Sequence, residues 1–328
     1  MSDSVPSGGP SGGPSTGRPS VVALGGGHGL AASLGAAKHY AGQVTGIVSV
    51  ADDGGSSGRL RLELGAVPPG DLRKCLAALG QEESLWCKAL EHRFAGGDLA
   101  GHALGNLLIV GLAEATGDLQ LALDEVGKLA GATGRVVPAT TVAVVLTAAV
   151  GGGEVRGQAA VAQATDIHRL SMVPPEPAVS DTVIEALRQA DQVVLGPGSL
   201  YTSVLAVAAV PAIREVLAEL RGQAVYVCNL HAERGETAGY DVARHVEALI
   251  DHGVHPDVVL CDSSSLPLGS PRVRWVDRPL SQGDGSSHSA ARLGAALAEL
   301  LEMSRGAAGE VAEDGRGSAP FGRGEVEP

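Results

Sequence analysis

The chain has 328 residues, of which 44% are hydrophobic and 19% charged, and its formal net charge is −13. That length and apolar content suffice for one large packed α/β domain or two small ones. The negative balance and an aromatic content of 2% argue against a nucleic-acid surface, which needs cations and stacking platforms.

Residues 1–19 are mostly Ser, Gly and Pro, and the sequence predicts a disordered tail there. Residues 304–328, acidic and glycine-rich, predict a second one. The folded body is then about 20–303, with Val, Leu and Ala filling the core. The four cysteines, Cys75, Cys87, Cys228 and Cys261, form no close Cys-x-x-Cys pair, so buried thiols are expected rather than a disulfide or zinc framework. Nothing at the N-terminus resembles a signal peptide, and no apolar stretch is long enough to span a bilayer. The expected location is cytoplasmic.

Val21–Leu24 is a short apolar run that stops at glycine, as a buried parallel strand does. Gly25, Gly26, Gly27 and Gly29 follow, then a helical pattern from Leu30 to Tyr40. This strand, glycine loop and helix would aim free backbone N–H groups at an anion. The loop resembles the dinucleotide fingerprint without matching it, and a plain tight turn is the alternative. Val44–Val50 is a second strand. It places Asp52 and Asp53 at a carboxyl end beside the first loop, where open parallel sheets bind ligands. Carboxylates suit a divalent cation or a ribose hydroxyl. Ser56, Ser57, Arg59 and Arg61, in and after a Gly-Gly-Ser-Ser-Gly segment, suit phosphate oxygens. The plainer alternative is that one aspartate only caps a helix.

Pro68-Pro69-Gly70 reads as a turn, with Asp71 opening a helix. Glu83–Phe94 reads as another helix. Gly101–Ala115 reads as a buried helix that puts His102 and Asn106 on one face. His102 is either a structural hydrogen-bonding residue or an acid–base group. Leu119–Leu129 is helical. The block 135–175 reads as antiparallel, with Thr141–Val150 and Glu154–Val161 as a hairpin and Asp166–Val173 as a further strand. Parallel α/β then resumes with a helix over Val179–Gln189 and a strand over Asp191–Leu195. A second glycine loop, Gly196 to Ser203, opens a helix and carries Gly198, Ser199 and Tyr201. Tyr201 is a stacking candidate or a core residue. Val225–Cys228 is a strand that ends at Asn229, a candidate polar contact. Tyr240–His252 is a helix, Asp257–Leu260 a strand, and Ala290–Leu301 a closing helix. The predicted fold is α/β: a three-layer, Rossmann-like, mostly parallel sheet with a small antiparallel excursion.

Four motifs stand in order: Gly25–Leu30 with Val50–Arg61, Pro68-Pro69-Gly70-Asp71-Leu72-Arg73, Gly101-His102-Ala103-Leu104-Gly105-Asn106-Leu107, and Gly196–Ser203. Together they resemble the gluconeogenesis-factor (YvcK-like) family of the CofD-like superfamily. The chain departs from that pattern at His28, where Thr is usual, and at Arg234, where Pro is usual. Near the end, Ser287-His288-Ser289 stands for Arg-His-Asp, and the preceding insert is short.

The resemblance implies a cytoplasmic regulator that binds a nucleotide sugar such as UDP-N-acetylglucosamine. It would couple carbon supply to wall-precursor synthesis and cell shape, with a metabolic enzyme as partner and a homo-oligomeric state. The ligand contacts would be Gly25, Gly26, Gly27, Gly29, Asp52, Asp53, Ser56, Ser57, Arg59, Asn106, Gly196, Gly198, Ser199, Tyr201 and Asn229. The second reading is a magnesium-dependent 2-phospho-L-lactate-type transferase with a GDP-activated donor. Asp52 and Asp53 would then hold the metal, and Asp53 or His102 would serve catalysis. The first loop also permits NAD(P).

Overall fold

A computed structural model describes residues 17–314 except Glu82 and Asp284. The predicted N-terminal tail, up to residue 16, and the C-terminal segment from 315 lie outside the described residues.

The chain begins with β1 (Ser20–Gly25), whose Val21, Val22, Ala23 and Leu24 are all buried. Helix α1 (Gly27–Ala37) starts inside the glycine loop and returns the chain to β2 (Gln43–Val48). Five helices follow: α2 (Gly55–Leu64), α3 (Gly70–Leu79), α4 (Leu85–Glu91), α5 (Leu104–Thr116) and α6 (Leu119–Ala130). Strand β3 (Arg135–Pro138) closes this half. An excursion of β4 (Val145–Val150), β5 (Gly153–Arg156), α7 (Gln158–Gln163) and β6 (Ile167–Val173) comes next. The second half runs α8 (Asp181–Gln189), β7 (Gln192–Leu195), a π-helical segment Leu200–Leu205, α9 (Ala206–Ala208) and α10 (Pro211–Ala218). It ends with β8 (Gln223–Val227), α11 (Val242–Asp251), β9 (Val258–Cys261), β10 (Trp275–Asp277) and α12 (Ala290–Asp314).

Seven strands form one parallel sheet in the order β10-β9-β8-β7-β1-β2-β3. From β1 the chain builds outward one way through β2 and β3. It then returns to the other side of β1 at β7 and builds outward through β8, β9 and β10. The switch point therefore lies between β1 and β7. Helices cover both faces, and each face has its own apolar cluster. One contains Leu30, Leu34, Leu72, Ile109, Leu123 and Leu297. The other contains Leu146, Leu170, Leu187, Tyr201, Ile213 and Leu249. The small sheet, β5-β4-β6, is antiparallel and joins the second cluster.

The α/β expectation holds, and several local expectations are corrected. The block from 135 is not wholly antiparallel: β3 pairs parallel with β2 and forms the sheet edge, where Pro138 is tolerated. The hairpin's return strand stops at Arg156 and Gly157 turns the chain into α7. The Gly-Gly-Ser-Ser-Gly segment is the first turns of α2 rather than a loop. Its glycine content reflects close packing, since a Cβ on Gly58 would stand 2.1 Å from the Asp53 carbonyl oxygen. The helix over Glu83–Phe94 shrinks to α4. The tail expected from 304 begins instead as the last turns of α12. All four cysteines are buried and free. Among the described residues no single helix is long and apolar enough to cross a membrane; a bent pair, Leu200–Ala208 with Pro211–Ala218, passes only by length and composition.

The amino ends of the central strands are tied by a buried amide. Gln192 donates to Gln223 Oε1 at 2.9 Å and to the Leu297 carbonyl at 3.0 Å, and it accepts from the Tyr40 hydroxyl at 2.5 Å. Gln192→Leu keeps the volume but strands three polar groups. It is expected to lower unfolding free energy by about 1–3 kcal/mol in urea titration.

Candidate functional site

Parallel strands present their carboxyl ends together, so the loops after β1, β7 and β8 meet on one edge of the sheet. The first loop leads into α1 with Gly26 as an extended N-cap and no side-chain cap. The N–H groups of Gly27, His28 and Gly29 find no acceptor among the described residues. They are unspent donors at the positive end of a helix. Gly27 sits at φ 61°, a left-handed conformation that a side chain would strain.

The two glycine loops touch. A Cβ on Gly29 would lie 2.2 Å from the Pro197 carbonyl oxygen and 2.8 Å from Gly198 Cα. Ser33 in α1 donates to the Gly196 carbonyl at 2.5 Å. The second loop is held from its other side by Asn229, whose Oδ1 accepts the Gly198 N–H at 2.9 Å. The Ser199 hydroxyl donates to Glu233 at 2.8 Å. Buried Glu236 accepts the N–H groups of Tyr201 at 3.0 Å and Thr202 at 3.2 Å. Burial, together with the nearby Glu233 charge, raises the Glu236 carboxyl to about 7 against the pull of those donors.

Over this junction lies a cleft of about 280 Å³. Its walls are His28, Gly29 and Ala32 from the first loop and α1, Pro197 and Gly198 from the second loop, Asn229 to His231 and Glu233 after β8, and Ser286 to His288 before α12. No Lys or Arg lines it among the described residues. His288 Nε2 lies 3.2 Å from the Cys228 carbonyl. Only an N–H satisfies that oxygen, so Nδ1 is left as an acceptor. Burial holds the His288 pKa below the usual imidazole range, which agrees with a neutral ring.

Of the expected contact residues, Gly29, Gly198 and Asn229 line this cleft. Gly25, Gly26, Gly27 and Gly196 shape the two loops beneath it. Ser199 is engaged by Glu233. Tyr201 is fully buried, and its hydroxyl meets the Ile167 carbonyl at 3.3 Å and the Tyr240 hydroxyl at 3.1 Å. That corrects the stacking expectation: Tyr201 is a core residue. His28, His231, Glu233, Ser287 and His288 were not among the expected contacts.

The two adjacent aspartates diverge. Both Asp53 oxygens accept backbone N–H groups at the start of α7, from Gln158 at 2.8 Å and Ala159 at 3.0 Å. Asp53 therefore caps a helix, the plainer of its two readings. Asp52 accepts the Gly54 N–H at 3.0 Å and approaches the N-terminus of α3, where Ser57 takes the Gly70 N–H at 3.0 Å. Burial raises the Asp52 pKa and the Asp71 charge adds to it, opposed by the Gly54 N–H. Asp71 lies over the first loop, so that a Cβ on Gly26 would stand 2.7 Å from its Oδ2, and it pairs with Lys74 at 3.0 Å. Among the described residues no three His, Cys, Asp or Glu side chains group as metal ligands. Both aspartates already accept backbone N–H groups, Asp52 from Gly54 and Asp53 from Gln158 and Ala159.

The remaining expected residues form a separate polar hub. Arg73 Nε donates to Asn106 Oδ1 at 3.0 Å, which fixes the amide's orientation. Asn106 Nδ2 donates to Ser56 Oγ at 3.0 Å, and His102 Nδ1 lies 3.0 Å from the same oxygen. Ser56 Oγ therefore accepts from Asn106 and shares a further hydrogen bond with His102 Nδ1. Glu91 pairs with Arg73 at 2.5 Å. His102 precedes α5 rather than riding on it, yet it still meets Asn106 through Ser56. Arg59 reaches the Ala100 carbonyl at 2.9 Å and Arg61 the Val144 carbonyl at 3.0 Å. None of these residues lines the cleft.

Comparison with known proteins gives the family and the fold. Residues 21–272 match the family model described as 2-phospho-L-lactate transferase CofD. A Mycobacterium leprae relative is 45% identical over 264 residues, covering 76% of this chain and 74% of its own. The gluconeogenesis factor of Bacillus subtilis is 41% identical over 255 residues, covering 76% of this chain and 80% of its own. The crystal structure of a Bacillus halodurans protein, described as a member of the UPF0052 family, superposes with a TM-score of 0.81 at 34% identity. It covers 86% of this chain and 99% of its own.

Two predictions follow from these contacts. Asp53→Ala should lower stability by about 1–2 kcal/mol, as loss of a helix cap does, and leave ligand affinity unchanged in a binding titration. Glu236 should tilt the pH dependence. Its folded pKa of about 7 lies above the ordinary 4.5, so the folded state holds a proton that the unfolded chain releases. The stabilising contribution is full below 4.5 and is lost as pH rises through about 7. Between about pH 5 and about pH 8 wild type should therefore lose melting temperature relative to Glu236→Gln, since the buried histidines titrate alike in both proteins.

Proposed function

This chain belongs to the CofD family, and we propose that it is a binding protein of the gluconeogenesis-factor type whose ligand is a nucleotide sugar. The observation that carries the reading is the cleft over the switch point, where two glycine loops converge beside the uncapped start of α1. Three consecutive donors, Gly27, His28 and Gly29, suit a diphosphate oxygen. Asn229 and His288 add side-chain groups that fit sugar or base edges. Ser287 stands where a cation would otherwise neutralise the phosphate, so the backbone donors carry that task. UDP-N-acetylglucosamine is the ligand favoured by the motif order. Its bound state would be read by a metabolic partner.

Transfer chemistry ranks second. The Ser56–His102–Asn106 hub has hydrogen-bonding geometry suited to moving a proton, but none of its residues lines the cleft. The deciding experiment titrates the full chain calorimetrically with UDP-N-acetylglucosamine, with and without magnesium, and assays the same sample for product. Saturable binding without turnover is the expected result, with Asn229→Ala weakening it by about tenfold. Magnesium-dependent product from a GDP-linked donor would replace this reading with transfer. Absence of binding would remove the nucleotide sugar.

A further inference from the structure

A second cavity, of about 350 Å³, opens away from the cleft between the small sheet and the helices beside it. Its walls include Arg169 and Ser171 from β6, Arg214 from α10, and Asp251, His252 and Gly253 at the end of α11. Neither arginine forms an ion pair or a hydrogen bond through its guanidinium among the described residues. Two unpaired cations facing one hollow are unusual in a chain of net charge −13. Their charges add in the hollow, and the Asp251 carboxylate on the same wall pairs with neither of them. Helix α10, eight residues long, starts at this wall with Pro211 and no side-chain cap.

His252 fixes the shape of the cavity without taking part in binding. Its Nε2 accepts the Leu170 N–H at 2.8 Å, and its Nδ1 meets the Ala248 carbonyl at 2.7 Å. Both ring nitrogens are spent, and the ring is neutral. Its edge also meets Tyr201, the core residue of the second glycine loop, with ring centroids 5.7 Å apart. The recognising groups are therefore Arg169 and Arg214 for an anion and Asp251 and Ser171 for hydroxyls. Arginine forks match phosphate oxygens, while a carboxylate can only accept, so it selects a ligand that donates.

We propose that this cavity is a binding site for a phosphate monoester of a small hydroxylated compound, separate from the glycine-loop cleft. Arg169 and Arg214 hold the phosphate, and Asp251 accepts from a hydroxyl of the same molecule. The site stands independently of the nucleotide-sugar reading, since it shares no residue with that cleft.

The test titrates the full chain with fructose 6-phosphate and, separately, with inorganic phosphate, by calorimetry and ligand-observed NMR. Wild type should bind the sugar phosphate saturably, and the phosphate alone more weakly. Arg169→Gln with Arg214→Gln should weaken the sugar phosphate by at least about tenfold at an unchanged melting temperature. Arg188→Gln with Arg221→Gln, two exposed arginines away from this cavity, removes the same two charges and should bind as wild type. Unaltered binding in the double variant, or no saturable binding by wild type at millimolar concentration, would overturn the assignment. Equal affinity for inorganic phosphate would overturn the monoester and Asp251's part in it.

Discussion

The contact of Gly29 with Pro197 is the constraint on which the rest of the structure depends. β1 and β7 are neighbours in a parallel sheet, and the chain leaves them toward opposite faces. The two departing loops must then cross at van der Waals distance above the strand ends. A Cβ on Gly29 would occupy the Pro197 carbonyl. With glycine there, α1 can begin immediately, Ser33 can reach the Gly196 carbonyl, and the cleft has a floor made of backbone. The site follows from sheet topology before any side chain is considered.

Much of this was legible in the sequence because strands buried on both faces read as apolar runs that end at glycine. β1 and β7 declare themselves in that way, β8 is an apolar run that ends at Asn229 instead, and each is followed by a loop that reaches the cleft. What hid the rest was local physics of a different kind. β3 is four residues long, sits at an edge and ends in proline, so it carries little of a strand's pattern. α2 begins with glycines and serines because its backbone packs against Asp53, and a composition rule takes such a segment for a loop. Adjacency misled at Asp52–Asp53. Successive residues of extended chain point to opposite sides, so neighbours in sequence reached different helices. His231, Glu233, Ser287 and His288 come from two loops distant in sequence, and no spacing rule brings such loops together.

The hub of Glu91, Arg73, Asn106, Ser56 and His102 shows why motif residues need not be ligand contacts. A buried arginine is costly unless its donors are matched. Here a carboxylate and an amide oxygen match it, and the amide's remaining hydrogens order the serine, which in turn orders the histidine. Each partner fixes the next rotamer or proton. The residues come from α2, α3, α4, α5 and the turn before α5, so the network clamps the helices that flank the first loop. A polar chain that runs from the exposed Glu91 carboxylate into the interior can produce a recognisable motif through packing alone.

The two glycine loops, similar in sequence, divide the work by how their N–H groups are spent. In the second loop Asn229 takes the Gly198 donor, and Glu236 takes those of Tyr201 and Thr202. Those donors are satisfied inside the protein and hold the loop's shape. In the first loop the donors of Gly27, His28 and Gly29 have no such acceptor. Unsatisfied donors on a helix start are tolerable beside water and most favourable against an anion. On the nucleotide-sugar reading proposed above, the first loop faces the anion and the second braces it. Lys and Arg are absent from the cleft walls among the described residues, so on that reading charge recognition rests on backbone geometry. Backbone donors discriminate by position more than by charge, and their position is set by the crossing of the two loops at Gly29.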